Sequence, residues 1–254
     1  MEYIMGGHSH WATVKRHKGA MDVKRGKIFT RIIREVTIAA RSGSDPDGNP
    51  RLRLAILKAK EANMPGDTLK KAIQRGTGEL PGVIYEEFHL EAYGPGGTGV
   101  LLEITSDNRN RTVAELRNLL TKNHGNMAEA GAVSWQFHKK GLLTIEKGKV
   151  DEDTLLSLAL DAGAEDVKVG ESSFEVLTDP HHFEAVKKAL LDAKIETVLA
   201  EVTFVPQNTI KLEEKAAEQM LKLMEVLDEH EDVQKVHANF DISDEVMEKV
   251  AAAG

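Results

Sequence analysis

The sequence predicts an α+β fold in three parts: one small all-α domain and two α+β domains. Three observations predict it. The apolar period is helical up to about residue 78 and alternates from about residue 88 onward. Residues 134–205 then spell strand–helix–strand–strand–helix–strand, the split βαβ order of ferredoxin-like domains. The chain also has 254 residues, and at about 100–200 residues per domain that is room for two domains or three small ones.

Each element follows from local signals. Residues 1–23 hold too few apolar groups in a period to offset ordering entropy, and read as a flexible basic arm. From Lys24 a helix places Ile28, Ile32, Val36 and Ala39 on one stripe, and Gly43 stops it. Asn49 caps a second helix with Pro50 at its first position, and Leu52, Ile56 and Ala59 face inward. Asp67 or Thr68 opens a third, closed by Gly76. Residues 24–78 thus form a three-helix basic domain.

Strands 88–93 and 100–105 flank the hairpin Gly94–Gly99, and Thr112-x-x-Glu115 fits a capping box at the head of a helix to Lys122. The ferredoxin-like unit then runs as strand 134–146, helix 152–162, strands 166–169 and 173–177, helix 180–192 and strand 197–205. Asp179 is its second cap, and Trp135 is a core residue of its first strand. A last helix, 212–228, and a last strand, 233–240, have no home within it. Residues 79–133 lack a second helix, so 206–254 returns to complete them. The middle α+β domain is then discontinuous, with 134–205 inserted.

Composition removes whole classes of function. With no cysteine, disulfides, thiolate metal sites and cysteine nucleophiles are excluded, which fits a reducing cytoplasm. No run of about 18 apolar residues could cross a bilayer. No nucleophile–base set, paired acid and base or cofactor fingerprint stands out, so neither enzyme activity, cofactor nor small-molecule substrate is expected. Gly94-Pro-Gly-Gly-Thr-Gly99 lacks the Lys-Ser/Thr ending and the following helix of a P-loop. His8, His10 and His17 lack the further ligands a zinc site needs, so no metal is expected.

Charge points the other way. The net −8 hides a division: residues 1–78 carry 16 Lys and Arg against 7 Asp and Glu, and residues 79–254 carry 17 against 34. The densest stretch holds Lys15, Arg16, Lys18, Lys24, Arg25, Lys27, Arg31 and Arg34 against Asp22 alone. With His8, His10 and Trp11 it forms the candidate nucleic-acid surface. Trp11 either stacks on a base or pins the arm to the helical domain. In Asp107-Asn-Arg-Asn-Arg-Thr112, Arg109 and Arg111 are either phosphate contacts or parts of turn and cap chemistry. The acidic remainder repels phosphates, so the whole molecule does not wrap nucleic acid.

These residues also carry a resemblance. Gly6-Gly-His-Ser-His-Trp11, Val14-Lys-x-x-Lys18, Asp22-x-Lys24-Arg25, Asn49-Pro-Arg-Leu-Arg53, Asn63-Met-Pro65, Tyr93-Gly-Pro-Gly-Gly97, Asp107–Thr112 and Gly131–Trp135 resemble the YebC/PmpR family over nearly the whole chain. Met1 to Ile4 precede the family's usual start, which makes Met5 a second candidate initiator. The resemblance implies one helical and two ferredoxin-like domains and no catalytic residues. Its bacterial members are described as cytoplasmic regulators that bind promoter DNA. Others, including the mitochondrial translational activator of cytochrome c oxidase subunit I, associate with ribosomes and relieve stalling at proline-rich stretches. The partner implied is therefore promoter DNA or rRNA, with the ribosome as the alternative docking site.

Overall fold

The computed structural model describes residues 21–170, 172–243 and 246, with side chains described from Gly26 onward. The arm, with His8, His10, Trp11, Lys15, Arg16 and Lys18, lies outside the described residues, as do the side chains of Lys24 and Arg25.

Helix α1 (Met21–Ala39) runs into a short 3-10 turn that Gly43 ends at a φ of 139°. Helix α2 (Pro50–Glu61) starts as its sequence dictates: the Asn49 side chain accepts from the Leu52 amide at 3.1 Å, and Pro50 sits where no amide is needed. Helix α3 (Gly66–Thr77) passes through Gly76 and ends at Gly78, whose φ is 82°. Gly76 is therefore not a stop. A Cβ there would lie 2.3 Å from the Thr37 carbonyl oxygen and 2.6 Å from Ala40 Cβ, so glycine is what lets α3 cross α1 closely. Ile32, Val36, Leu52, Ala55, Ala59 and Ala72 close the core of this domain, while Ile28 stays exposed beside it.

The middle domain is built from strands β1 (Glu86–Tyr93) and β2 (Gly99–Ser106), helix α4 (Arg109–Lys122), strand β3 (Asn126–Met127), and, from the far end of the chain, helix α7 (Glu214–Glu229) and strand β9 (Val233–Ala238). Its antiparallel sheet has the order β3-β1-β2-β9, and β9 pairs along β2 from Val100↔Ala238 to Ile104↔Val233. Val100, Leu102 and Ile104 point to one face and pack with Leu116, Leu120, Met220, Leu223 and Leu227 of α4 and α7. A short parallel pair, β8 (Ile210–Lys211) with β10 (Phe240–Asp241), closes its edge.

Between β3 and β8 lies the inserted domain: β4 (Phe137–Glu146), α5 (Glu152–Asp161), β5 (Ala164–Val169), β6 (Ser173–Thr178), α6 (Phe183–Asp192) and β7 (Leu199–Pro206), in the sheet order β5-β6-β4-β7. Leu143, Ile145, Phe174 and Val176 meet Leu155, Val186 and Leu190 in its core. The two four-stranded sheets share one spatial plan. In the middle sheet the strand that comes third in the inserted domain has moved to the front of the chain as β1.

Local boundaries shift for identifiable reasons. Helix α4 starts three residues ahead of the Thr112 capping box because the Asn108 side chain accepts the Arg111 amide at 3.1 Å. Helix α6 starts at Phe183, since Asp179 instead accepts the His181 amide in a turn. Ser134–Gln136 is a 3-10 turn rather than strand, and Trp135 is 63% exposed rather than in the core.

Candidate nucleic-acid interface

The cations of the helical domain divide into two sets. Residues 31 and 34 lie three apart on α1 and share a face. That face meets the C-terminal end of α7, where free carbonyls and Asp228 and Asp232 gather negative potential. Arg31 pairs with Asp228 at 3.5 Å and also donates to its carbonyl oxygen. Arg34 is only 7% exposed. It pairs with Asp232 at 2.8 Å, donates to the Glu231 carbonyl and reaches the Thr105 carbonyl at 3.4 Å. Its guanidinium lies 5.6 Å from the Tyr85 ring centre.

Arg51, on α2, bridges Glu35 at 3.0 Å and Glu87 of β1 at 2.9 Å, and the Glu87 carboxylate above all holds its guanidinium above the usual arginine range. Arg31, Arg34 and Arg51 thus fasten the helical domain to the middle one. Arg31 and Arg34, which the sequence offers as phosphate contacts, thus have carboxylate partners inside the molecule.

Asp232 is the centre of the joint. Its carboxylate, 2% exposed, accepts Thr112 Oγ1 at 2.5 Å and Ser106 Oγ at 3.2 Å, and pairs with Arg111 at 3.0 Å as well as with Arg34. Burial alone would raise its pKa, but these donors and the two guanidinium charges outweigh that and hold it below the usual carboxylate range. Arg111 also meets Asp107 at 2.8 Å. Arg109 pairs with Glu86 at 2.7 Å and lies 4.4 Å from the Phe88 ring centre. Of the two readings open for this loop, the geometry supplies the structural one, although both arginines keep part of their surface in solvent.

The second set has no carboxylate partner among the described residues. Arg41, Lys58, Lys60, Lys70, Lys71 and Arg75 are exposed and make no ion pair with another described residue, and half-buried Lys27 makes none either. Arg53 is exposed and reaches only the Pro46 carbonyl, at 3.4 Å. These residues lie outside the densest basic stretch because they are spread along α2 and α3. The signal that contains them is the charge balance of residues 1–78, which needs the fold to sort it.

A cleft of about 1040 Å³ lies where the three domains meet, walled by α1 and α2, by the open face of the middle sheet, and by β4 and β7. Glu103 of its wall pairs with the buried His237 at 2.6 Å, and Lys235 reaches Glu201 of β7 at 2.8 Å. Burial pushes the Glu103 pKa up, yet the bond and charge of His237 leave it lowered overall.

A cation-bearing helical domain fastened to two acidic ferredoxin-like domains, one inserted in the other, defines a class of three-domain α+β protein. Family models match the chain in two blocks: the TACO1/YebC protein N-terminal domain over residues 9–79, and the TACO1/YebC second and third domain over residues 85–240. The chain therefore belongs to the TACO1/YebC family. A probable transcriptional regulatory protein of Desulfotalea psychrophila is 53% identical over 249 residues, covering 97% of this chain and 100% of its own. One of Geobacter sulfurreducens is 55% identical over 247 residues, again covering 97% and 100%. A solved structure of a conserved hypothetical protein from Aquifex aeolicus matches with a TM-score of 0.75 at 42% identity, over 88% of this chain and 93% of that one.

Proposed function

We propose that this protein is a nucleic-acid-binding regulator that acts without catalysis in the cytoplasm, and that its main role is transcriptional regulation through DNA. The observation that carries the reading is a set of cations on α2 and α3, Lys58, Lys60, Lys70, Lys71 and Arg75, that are exposed and make no ion pair with another described residue, beside an acidic body. Lysines and arginines that have no carboxylate to leave bind phosphates by releasing counterions. The names of the relatives, probable transcriptional regulatory proteins, support the regulatory part.

The test is equilibrium binding of duplex DNA across a salt series. With about six phosphates engaged, log affinity falls against log salt with a slope of about −5. A flat salt response removes the reading. A second reading is an rRNA-bound translation factor that relieves ribosomes stalled at proline-rich stretches. The exposed indole of Trp135 favours it, since irregular RNA offers unstacked bases. Crosslinking in growing cells separates the two: discrete promoters support the first, and rRNA with co-sedimentation on ribosomes supports the second.

A further inference from the structure

Trp135 and Tyr93 are, respectively, 63% and 37% exposed, in a protein whose other described large aromatic side chains are mostly packed. Their polar tips converge on one atom. Trp135 Nε1 donates to the Ala132 carbonyl oxygen at 3.2 Å, and the Tyr93 hydroxyl lies 3.5 Å from the same oxygen. The loop that bears that carbonyl is fixed from beneath by the buried carboxylate of Glu91. Glu91 accepts the amides of Gly131 at 2.6 Å, Val133 at 2.6 Å and Ser134 at 2.8 Å. Burial raises the pKa of Glu91, but three amide donors outweigh it and keep the group ionised.

The next residue, Gln136, is locked as well. Its Oε1 accepts Asn239 Nδ2 at 2.7 Å, while Asn239 Oδ1 accepts the Gly99 amide at 2.7 Å. A Cβ on Gly99 would lie 2.6 Å from Gln136 Nε2, so the hairpin packs directly against this lock. A buried carboxylate and a buried amide pair therefore hold two aromatic side chains out into water.

We propose that Trp135 and Tyr93 form a stacking site for an unpaired nucleobase. With indole N–H and phenol O–H both turned inward, what the pair offers a ligand is ring surface. The ligand that matches ring surface on a nucleic-acid-binding protein is a base face, which stacks on aromatic rings whatever the base. The site stands apart from the cations. Tyr93 is six residues along β1 from Glu87, where Arg51 of the helical domain docks, which is about 20 Å at about 3.3 Å per residue. A strand held by phosphate contacts on the helical domain reaches the platform only if it is single-stranded and several nucleotides long. The inference rests on the nucleic-acid reading above and adds to it a preference for unpaired segments.

The chain has two tryptophans, so a Trp11→Phe background makes Trp135 the sole indole reporter. In that background, single-stranded oligoadenylate or oligouridylate of about ten nucleotides is expected to quench Trp135 emission, and a duplex of equal length is not. Trp135→Ala should weaken single-strand binding about tenfold, with Trp135→Phe restoring most of it, and should leave the salt slope unchanged. An exposed ring contributes little to stability, so the melting temperature of Trp135→Ala should match its parent, and Tyr93→Leu serves as an independent variant. Single-strand binding with a normal salt slope, no quenching and no loss in Trp135→Ala overturns the stacking site and leaves the cation reading intact. No binding of any nucleic acid by the full chain overturns both.

Discussion

Arg34 and Lys71 belong to the same helical domain and count equally in its positive balance, yet they do opposite things. Arg34 is buried against Asp232 and two backbone carbonyls at the end of α7. Lys71 projects from α3 into solvent with no described carboxylate partner. A charge removed from water must find a partner or destabilise the fold. A charge left in water contributes almost nothing to the fold and keeps its full field for a polyanion. The inner face of α1 is therefore a joint, and the exposed cations of α2 and α3 keep their charge for the polyanion proposed above. One basic domain holds both because α1 turns its arginines to the middle domain while α2 and α3 carry the unpaired cations.

The sharpest way to break this division is to remove the acid at the joint. Asp232→Ala leaves the Arg34 guanidinium buried without its carboxylate and removes one acceptor each from Thr112 and Ser106. The expected loss of stability in a urea melt is about 3–5 kcal/mol. The same group sets an acid limit. The Asp232 carboxyl titrates lower in the folded chain than in the unfolded one, so its stabilisation is complete above about pH 5 and fades as pH falls through about 4 and below. Urea midpoints measured from pH 7 to pH 3 should drop over that window in the parent and much less in Asp232→Ala.

The outer face should respond in the complementary way. Reversing Lys70, Lys71 and Arg75 to Glu is expected to flatten the salt slope by about 0.9 for each lost phosphate contact and to weaken binding by about 10- to 100-fold. Its melting temperature should stay within about a degree of the parent. Arg34→Met should do the reverse, lowering stability with the salt slope unchanged. If the triple variant unfolds easily or Arg34→Met alone alters the slope, the two faces have been assigned the wrong way round.

Gly76→Ala tests the scaffold beneath both faces. A methyl group aimed at the Thr37 carbonyl forces α3 off α1, at a cost of about 1–3 kcal/mol confined to the helical domain. This position also marks how far sequence alone reaches. A glycine that ends a helix and a glycine that admits a neighbouring helix look the same along the chain. The inserted domain was legible because its strands alternate and its helices do not, and Asn49-Pro50 was legible because a cap is a contact within three residues.

What stayed hidden depends on distant partners. Asp232 reads as a polar helix exit until Arg34 and Arg111 arrive from 198 and 121 positions away. Trp135 reads as core because it opens a predicted strand with Phe137 two residues on, but the Glu91 carboxylate holds residues 131–134 in a loop and the strand begins only at Phe137. The cations of α1 read as a phosphate surface because nothing local says which side of the helix meets α7.

Arg109 is the smallest case and the most delicate, since it sits on the border between the two roles. Its pair with Glu86 leaves both side chains half in solvent, at 50% and 55%, and its guanidinium covers the Phe88 ring. Screening reduces such a pair to about 0–1 kcal/mol, and the ring contact adds about 0.5–1. If Arg109 serves only the packing of the middle domain, Arg109→Ala lowers stability by about 1 kcal/mol and leaves nucleic-acid affinity and its salt slope untouched. If it also reaches phosphate, the slope falls by about 0.9 as well, because a partly solvated guanidinium can exchange Glu86 for a stronger anion without unfolding anything. Measuring both quantities on that one variant shows whether the proposed phosphate contacts extend from the helical domain to the start of α4.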